Sequence, residues 1–369
     1  MRRLAFGGCV AGVVVLAAIA SAHTTGALSE RAACAPSWRV VARGDDVPDL
    51  SGVAAVSAHD VWLVGQLARG YPLAGVFRHA GVITHWDGRR LQTVHEFRTR
   101  SVRGISALAA NDIWAVGSEF GNTDSPLVLH WDGRRWLPTP TPPLRSEARL
   151  NAVVALSRKN VWAVGQVGTR PLAMHWDGRS WRVLGIRHEG SLNAVDGTSA
   201  GNIWTVGAQG LYAPSVNDER GLVLRWDGHR WKEAAGVALD DTGSGYEASN
   251  DFTGVAVVSP TQAWATHNGV VSGDVQRWDG TRWIVARSLA PKSILEDVAA
   301  VSGTDAWAVG PTSGTPSEER PLIVHWDGRL WRIQKTPLSS LQAGLSSLSI
   351  LSDKNIWAAG DHLIAQYTC

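Results

Sequence analysis

Tyrosine and phenylalanine are scarce in this chain, four and five among 369 residues, yet tryptophan numbers 19. Charge of one sign is lacking as well. The net charge is +2 with no run of like charges, which leaves no broad field to draw in nucleic acid or an anionic membrane. No window carries a sustained helical period, so a helical fold is not expected. His-Glu-x-x-His and a phosphate-binding loop are missing, and the one Gly-x-Ser-x-Gly match, Gly197-Thr198-Ser199-Ala200-Gly201, leads into no helical period of the kind a nucleophile elbow needs, so no familiar catalytic motif marks an enzyme. Beyond the first residues no apolar stretch is long enough to span a bilayer. What remains is ordinary globular composition, 44% hydrophobic and 18% charged, able to bury a core.

The one long apolar run is N-terminal. Arg2 and Arg3 precede Leu4–Ile19, and Ala20-Ser21-Ala22 offers a small-x-small cleavage site before His23. This reads as a secretory signal peptide over residues 1–22, with a retained anchor as the alternative. Residues 23–33 are expected to be a flexible leader, and 34–369 one domain. Cys9 would leave with the signal. The expected location is extracellular or at the cell envelope, with no membrane span in the mature chain.

The tryptophans repeat. Asp or Asn, an apolar residue and Trp recur seven times, at Trp62, Trp114, Trp162, Trp204, Trp264, Trp307 and Trp357, with Gln262 the one departure at the leading position. Trp-Asp-Gly follows six of them, at Trp86, Trp131, Trp176, Trp226, Trp278 and Trp326. Each of these leads to a closing apolar residue: Leu91, Trp136, Trp181, Trp231, Trp283 or Trp331. A repeat of this length is the mark of a solenoid or a propeller. Each unit parses into four short strands. Ser-x-x-Asn turns join the first pair, and Asp-Gly hairpins, where glycine accepts positive φ, join the last pair.

The fold expected is therefore all-β: a seven-bladed β-propeller of four antiparallel strands per blade. Large Trp side chains would fill the wedges between blades. The seventh unit ends at Tyr367 in the Trp-Asp-Gly position and lacks its outer strand. Trp38, in Ser-Trp-Arg-Val-Val, stands alone before the first unit and supplies it. The last blade would thus be shared by both ends. In that register Cys34 and Cys369 meet where the other blades have a hairpin turn, and a disulfide between them is expected.

The pattern resembles the Trp-rich repeats of tectonin-type and kelch-type propellers of bacterial-type secreted proteins. They too place an aromatic and a Gly near the second strand and an aromatic pair across the outer hairpin. The double Gly usual in kelch repeats and the Gly-His partner of WD40 repeats are absent. The resemblance implies architecture and carries no catalytic residue over.

Propeller topology puts the short, uniform turns on one face and the variable loops on the other. The variable face and channel mouth are the expected site, since binding residues favour loops on a rigid scaffold. Its loop aromatics, Tyr71, Tyr212 and Tyr246, with Glu247 and Arg320, are candidate ligand contacts. In the loop 240–251, Asp240, Asp241 and Asp251 are spaced so that oxygen ligands could hold Ca²⁺, although a solvated acidic loop is the plainer reading. His85, His130, His175 and His325 occupy equivalent places in different blades. They read as a structural slot, because metal ligands must converge on one point. The arginines at the outer hairpins read as solubilising the outer strands. Two functions are in view. One is a monomeric, non-catalytic binding module for a glycan or an extracellular protein. The other is an extracellular hydrolase or lyase acting on carbohydrate through paired carboxylates from Asp240, Asp241, Glu247, Glu318 and Glu319.

Overall fold

The computed structural model describes residues 35–69, 78–121, 123–210, 220–234, 251–269, 272–289, 293–312 and 318–369. Its strands form seven separate four-stranded antiparallel sheets. We number the blades in chain order: 49–97, 100–138, 148–183, 190–233, 251–288, 297–333 and 345–368. The seventh takes its outer strand, Ser37–Arg43, from the N-terminal side. The innermost strand of each blade touches that of the next, and blade 7 touches blade 1, so the ring is closed. The only helix among the described residues is the 3-10 turn Pro337–Ser340. No helix among them is long and apolar enough to cross a membrane.

The expected register holds. Trp38 pairs with Tyr367 as Trp136 pairs with Trp131 and Trp181 with Trp176. Ser37 pairs with Thr368, next to the exposed Cys369. Cys34 lies outside the described residues.

Each outer hairpin is built alike. In blade 2 Gly133 takes φ 91°, and Asp132 Oδ1 accepts the N–H groups of Arg134 and Arg135. These bonds stabilise the ionised form and hold the Asp132 carboxyl below its usual range. A second glycine requirement follows the Trp of the second strand. A Cβ on Gly117 would sit 2.0 Å from the Ser101 carbonyl oxygen, so the inner strand can approach only a glycine. Blade 5 alone places a side chain there. His267 is fully buried in it and meets Asp274 at 2.8 Å.

In blades 1 to 4 and 6 the Asp or Asn before the second-strand Trp is a hydrogen-bond hub that accepts from its indole. Asp112 Oδ1 accepts from Trp114 Nε1 at 3.1 Å and meets His130 Nε2 at 2.9 Å. The same trio joins Asp60, Trp62 and His85, and again Asp305, Trp307 and His325. The four histidines also lie over their Trp rings, at centroid distances of 3.9–4.5 Å. In blade 3 the acceptor is the Asn160 amide oxygen, so His175 must carry its proton on Nε2. Burial pushes the His175 pKa down. Arg225 and Arg277 fill the slot by lying over Trp204 and Trp264. The histidines are thus spent on packing.

Between blades, the outer-strand Trp of one approaches the second-strand Trp of the preceding blade edge-on. Examples are Trp181 on Trp114 at 82° and Trp331 on Trp264 at 89°. Outer-strand indoles such as those of Trp38, Trp136 and Trp181 have no oxygen acceptor for Nε1–H. A ring edge directed at a neighbouring π face gives such a donor a weak partner.

Candidate functional site

The innermost strand of a blade is an edge strand, and its open edge faces the channel. The backbone groups on that edge need partners. The sequence meets the need with a bulge. Pairing with the second strand slips by one residue between Leu50 and Gly52, Val102 and Gly104, Leu150 and Ala152, Leu192 and Ala194, Phe252 and Gly254, and Leu345 and Ser347. The residues left over are Ser51, Arg103, Asn151, Asn193, Thr253 and Ser346. In blade 6, Glu296 follows the buried Leu295 in the equivalent place. A bulge re-aims the extra side chain, and these seven polar residues form a collar around the channel.

Four of them tie one blade to the next. Ser51 Oγ donates to the Arg103 carbonyl at 3.0 Å, Asn151 Nδ2 to the Leu192 carbonyl at 2.8 Å, Asn193 Nδ2 to the Phe252 carbonyl at 3.0 Å and Thr253 Oγ1 to the Leu295 carbonyl at 2.7 Å. Deeper side chains accept from the next blade's N–H groups. Asp196 takes Val257, Asp297 takes Leu348, Ser106 takes Ala155 and Ser347 takes Val53. Inner-strand residues of all seven blades line a cavity of about 360 Å³ along the axis.

This channel is electrically lopsided. Burial pushes the Asp196 carboxyl up to about 6, and Asp297 and Glu296 each to about 7. The neighbouring carboxylates Asp251, Asp361 and Glu319 raise Glu296 further. Glu319 is itself raised to about 7, by burial and by lying against Asp361. The wall at blade 2 carries Arg103, whose pKa is lowered by burial and by the nearby Arg149 charge. The acids gather on blades 4 to 7, and the cations sit on blades 2 and 3.

Of the residues singled out in the sequence, Tyr71, Tyr212, Tyr246, Glu247, Asp240 and Asp241 lie outside the described residues. Asp251 begins blade 5, and its Oδ2 accepts from Asn193 Nδ2 at 3.3 Å. Arg320 is half-buried, and its Nη1 donates to the Glu319 carbonyl at 2.7 Å. Among the described residues no three His, Cys, Asp or Glu side chains are grouped to hold a metal. Sequence reading missed the collar, although its signal was present. Leu-Ser-Gly-Val, Val-Arg-Gly-Ile, Leu-Asn-Ala-Val (twice), Phe-Thr-Gly-Val, Leu-Glu-Asp-Val and Leu-Ser-Ser-Leu align as one polar column between apolar ones. It also missed Phe120, an aromatic 44% exposed at the end of blade 2's second strand.

No protein-family model matches the chain, and no curated protein does. Solved structures do match along nearly its whole length. "YCF48 bound to D1 peptide" is 15% identical with a TM-score of 0.59, covering 91% of this chain and 98% of its own. "Streptogramin B lyase structure" is 12% identical at 0.61, covering 90% and 97%. "Structure of U3-55K" is 12% identical at 0.62, covering 91% and 100%. At such identities the likeness concerns the fold, a complete propeller ring.

Proposed function

We propose that this protein is a secreted, non-catalytic binding propeller that takes an extracellular polypeptide segment across its variable-loop face. The observation that carries the reading is where the repeat is broken. Blade packing and the short-turn face repeat from copy to copy, while unlike residues such as Phe120, Arg103, Glu296 and Glu319 gather at the loop face and channel mouth. One similar fold is named as bound to a peptide, which supports such use of the architecture. A glycan would call for exposed flat aromatics, whereas the described tryptophans pack against one another between blades.

The hydrolase reading has one feature behind it, the Glu319–Asp361 pair. The two carboxyls lie against each other, and burial together with this contact raises Glu319 to about 7. Such contact is closer than the roughly 5–9.5 Å that glycoside hydrolysis needs between acid and base or nucleophile. Binding is therefore the stronger reading.

The test is a peptide display selection and a glycan array run on the mature chain, with hydrogen exchange on whatever binds. Peptide ligands that protect the variable-loop face, and lose affinity in Phe120→Ala, are the expected result. Specific glycan binding, or protection confined to the short-turn face, would overturn it. Export and the Cys34–Cys369 bond belong to the same proposal. Intact mass should show a start near His23 and two thiols oxidised, and reduction should lower stability by about 2–5 kcal/mol. Calcium in loop 240–251 is checked by repeating the binding assays in EDTA.

A further inference from the structure

Three collar positions depart from the pattern, the small Ser346 and two that carry charge. Where Ser51, Asn151, Asn193 and Thr253 spend their side chains on the next blade, blades 2 and 6 carry the charged Arg103 and Glu296. Neither side chain makes a hydrogen bond, ion pair or ring contact with any described residue, and both line the axial cavity. They also do not reach each other, for no ion pair joins them. Arg103 is exposed and Glu296 half-buried on the wall of one open-mouthed cavity, so both charges are held by water alone and a ligand presenting their complements can take that water's place. Arg103 is not needed to close the ring, since its carbonyl already accepts from Ser51. Glu296 is fixed through its backbone N–H, which donates to the Val309 carbonyl at 2.8 Å. The surroundings sharpen the polarity: Arg149 stands near Arg103, and Asp251, Glu319 and Asp361 stand near Glu296. Asp196 and Asp297, the other channel carboxyls, are already engaged with Val257 and Leu348.

We propose that the channel is a site of its own for a ligand carrying a carboxylate and an ammonium group several ångströms apart, the carboxylate seated on Arg103 and the ammonium on Glu296. A guanidinium presents a fork of donors suited to a carboxylate. A carboxylate among other carboxylates, in a partly desolvated cavity, favours a cation. The cavity of about 360 Å³ falls at the small end of ligand sites, enough for one amino-acid-sized group. Because Arg103 and Glu296 line one cavity without pairing, a ligand that touches both must hold its two charges apart on a chain, as lysine does with its carboxylate and side-chain ammonium. That chemistry has two sources: a free diamino acid, or a polypeptide ending in lysine. The site does not depend on the loop-face reading, and either can fail without the other.

The experiment is isothermal titration calorimetry on the mature chain at neutral pH. Its probes are L-lysine, Ala-Ala-Ala-Lys with a free C-terminus, cadaverine and pentanoate. Lysine or the tetrapeptide should bind at least about tenfold tighter than cadaverine, which lacks the carboxylate, or pentanoate, which lacks any ammonium group. Tighter binding of lysine assigns a free ligand, and tighter binding of the tetrapeptide assigns a chain end. Arg103→Gln should erase the advantage over cadaverine, and Glu296→Gln the advantage over pentanoate. Arg134→Gln, on an outer hairpin, should change nothing. Cooperative melting transitions at or above the parent's temperature confirm that the variants are folded. Absence of binding by both lysine probes, or equal binding by both charge-neutralised variants and the parent, overturns the proposal.

Discussion

The hub at the second-strand Trp can be tested by completing it where nature left it incomplete. In blade 5 the leading position is Gln262, whose Nε2 turns away to the Gly303 carbonyl at 2.9 Å. Trp264 Nε1, buried, and Arg277 Nε are then left without acceptors. Gln262→Asp places a carboxylate where Asp60, Asp112 and Asp305 already serve an indole N–H and a neighbouring polar group. Relieving a buried unpaired donor gains about 1–3 kcal/mol, and a bond to a charged partner is worth about 1.5–3 kcal/mol. Against this stand the lost Gly303 bond, about 1 kcal/mol, and partial desolvation of the new carboxylate. A net gain of about 1–2 kcal/mol is expected. The compact unit Pro36–Cys369 holds 369 − 35 = 334 residues. At about 2.1 cal/mol/K per residue its unfolding entropy is about 0.7 kcal/mol/K, so the melting temperature should rise by about 1.5–3 °C. Scanning calorimetry on the parent, Gln262→Asp and Gln262→Ala measures it, and the Trp264 indole proton resonance should move as the bond forms. A Gln262→Asp melting point at or below that of Gln262→Ala would refute the hub as a source of stability.

The converse change, Asp112→Ala, strands Trp114 Nε1 and His130 and should cost about 2–3 kcal/mol. Asp112→Asn, the residue used at 160 and 202, should cost under about 1 kcal/mol, both read by denaturant unfolding. Gly117→Ala forces a Cβ to within 2.0 Å of the Ser101 carbonyl and should destabilise by more than about 3 kcal/mol, whereas Gly121→Ala, with its nearest atom 3.5 Å away, should be silent. The channel acids set a pH dependence. Their folded pKa values are raised, so the folded state holds extra protons between the ordinary carboxyl range and about 7, and stability is lost as pH rises through that window. Melting curves should therefore show Glu296→Gln gaining on the parent between about pH 5 and 8. A difference that is flat or falls with pH would contradict the raised Glu296 value.

The blade architecture could be read from sequence because its determinants are local and repeated. Trp162, Asn160 and the Asp177-Gly178 turn act within a few residues of one another, and the Trp recurs in six other copies and the other two signals in five. The role of His175 followed from the same redundancy, since a slot filled by His, Arg or Gln in different copies is a packing slot. The collar was hidden for the opposite reason. Ser51, Arg103 and Glu296 share a position but neither a residue type nor a partner, and their meaning depends on the bulge that turns them inward and on blades far away in the chain. Two charged residues more than 190 positions apart face one cavity only because the ring closes.

The pairing of Ser37–Arg43 with Leu363–Thr368 bears on how the molecule is made. Blades 1 to 6 are each woven from one continuous stretch and can form as the chain emerges. The seventh must wait for its last strand, and until then the stretch around Trp38 has no edge to join. The entropy of closing so long a loop grows only slowly with its length, so the delay is one of search and sequence of events rather than of final stability. A circular permutant with new ends at Asp132-Gly133, and its old ends joined by an Asp-Gly turn, would keep every blade while moving the waiting seam to blade 2. Folding rate, and the lifetime of open rings prone to join one another edge to edge, should then change while the equilibrium structure does not.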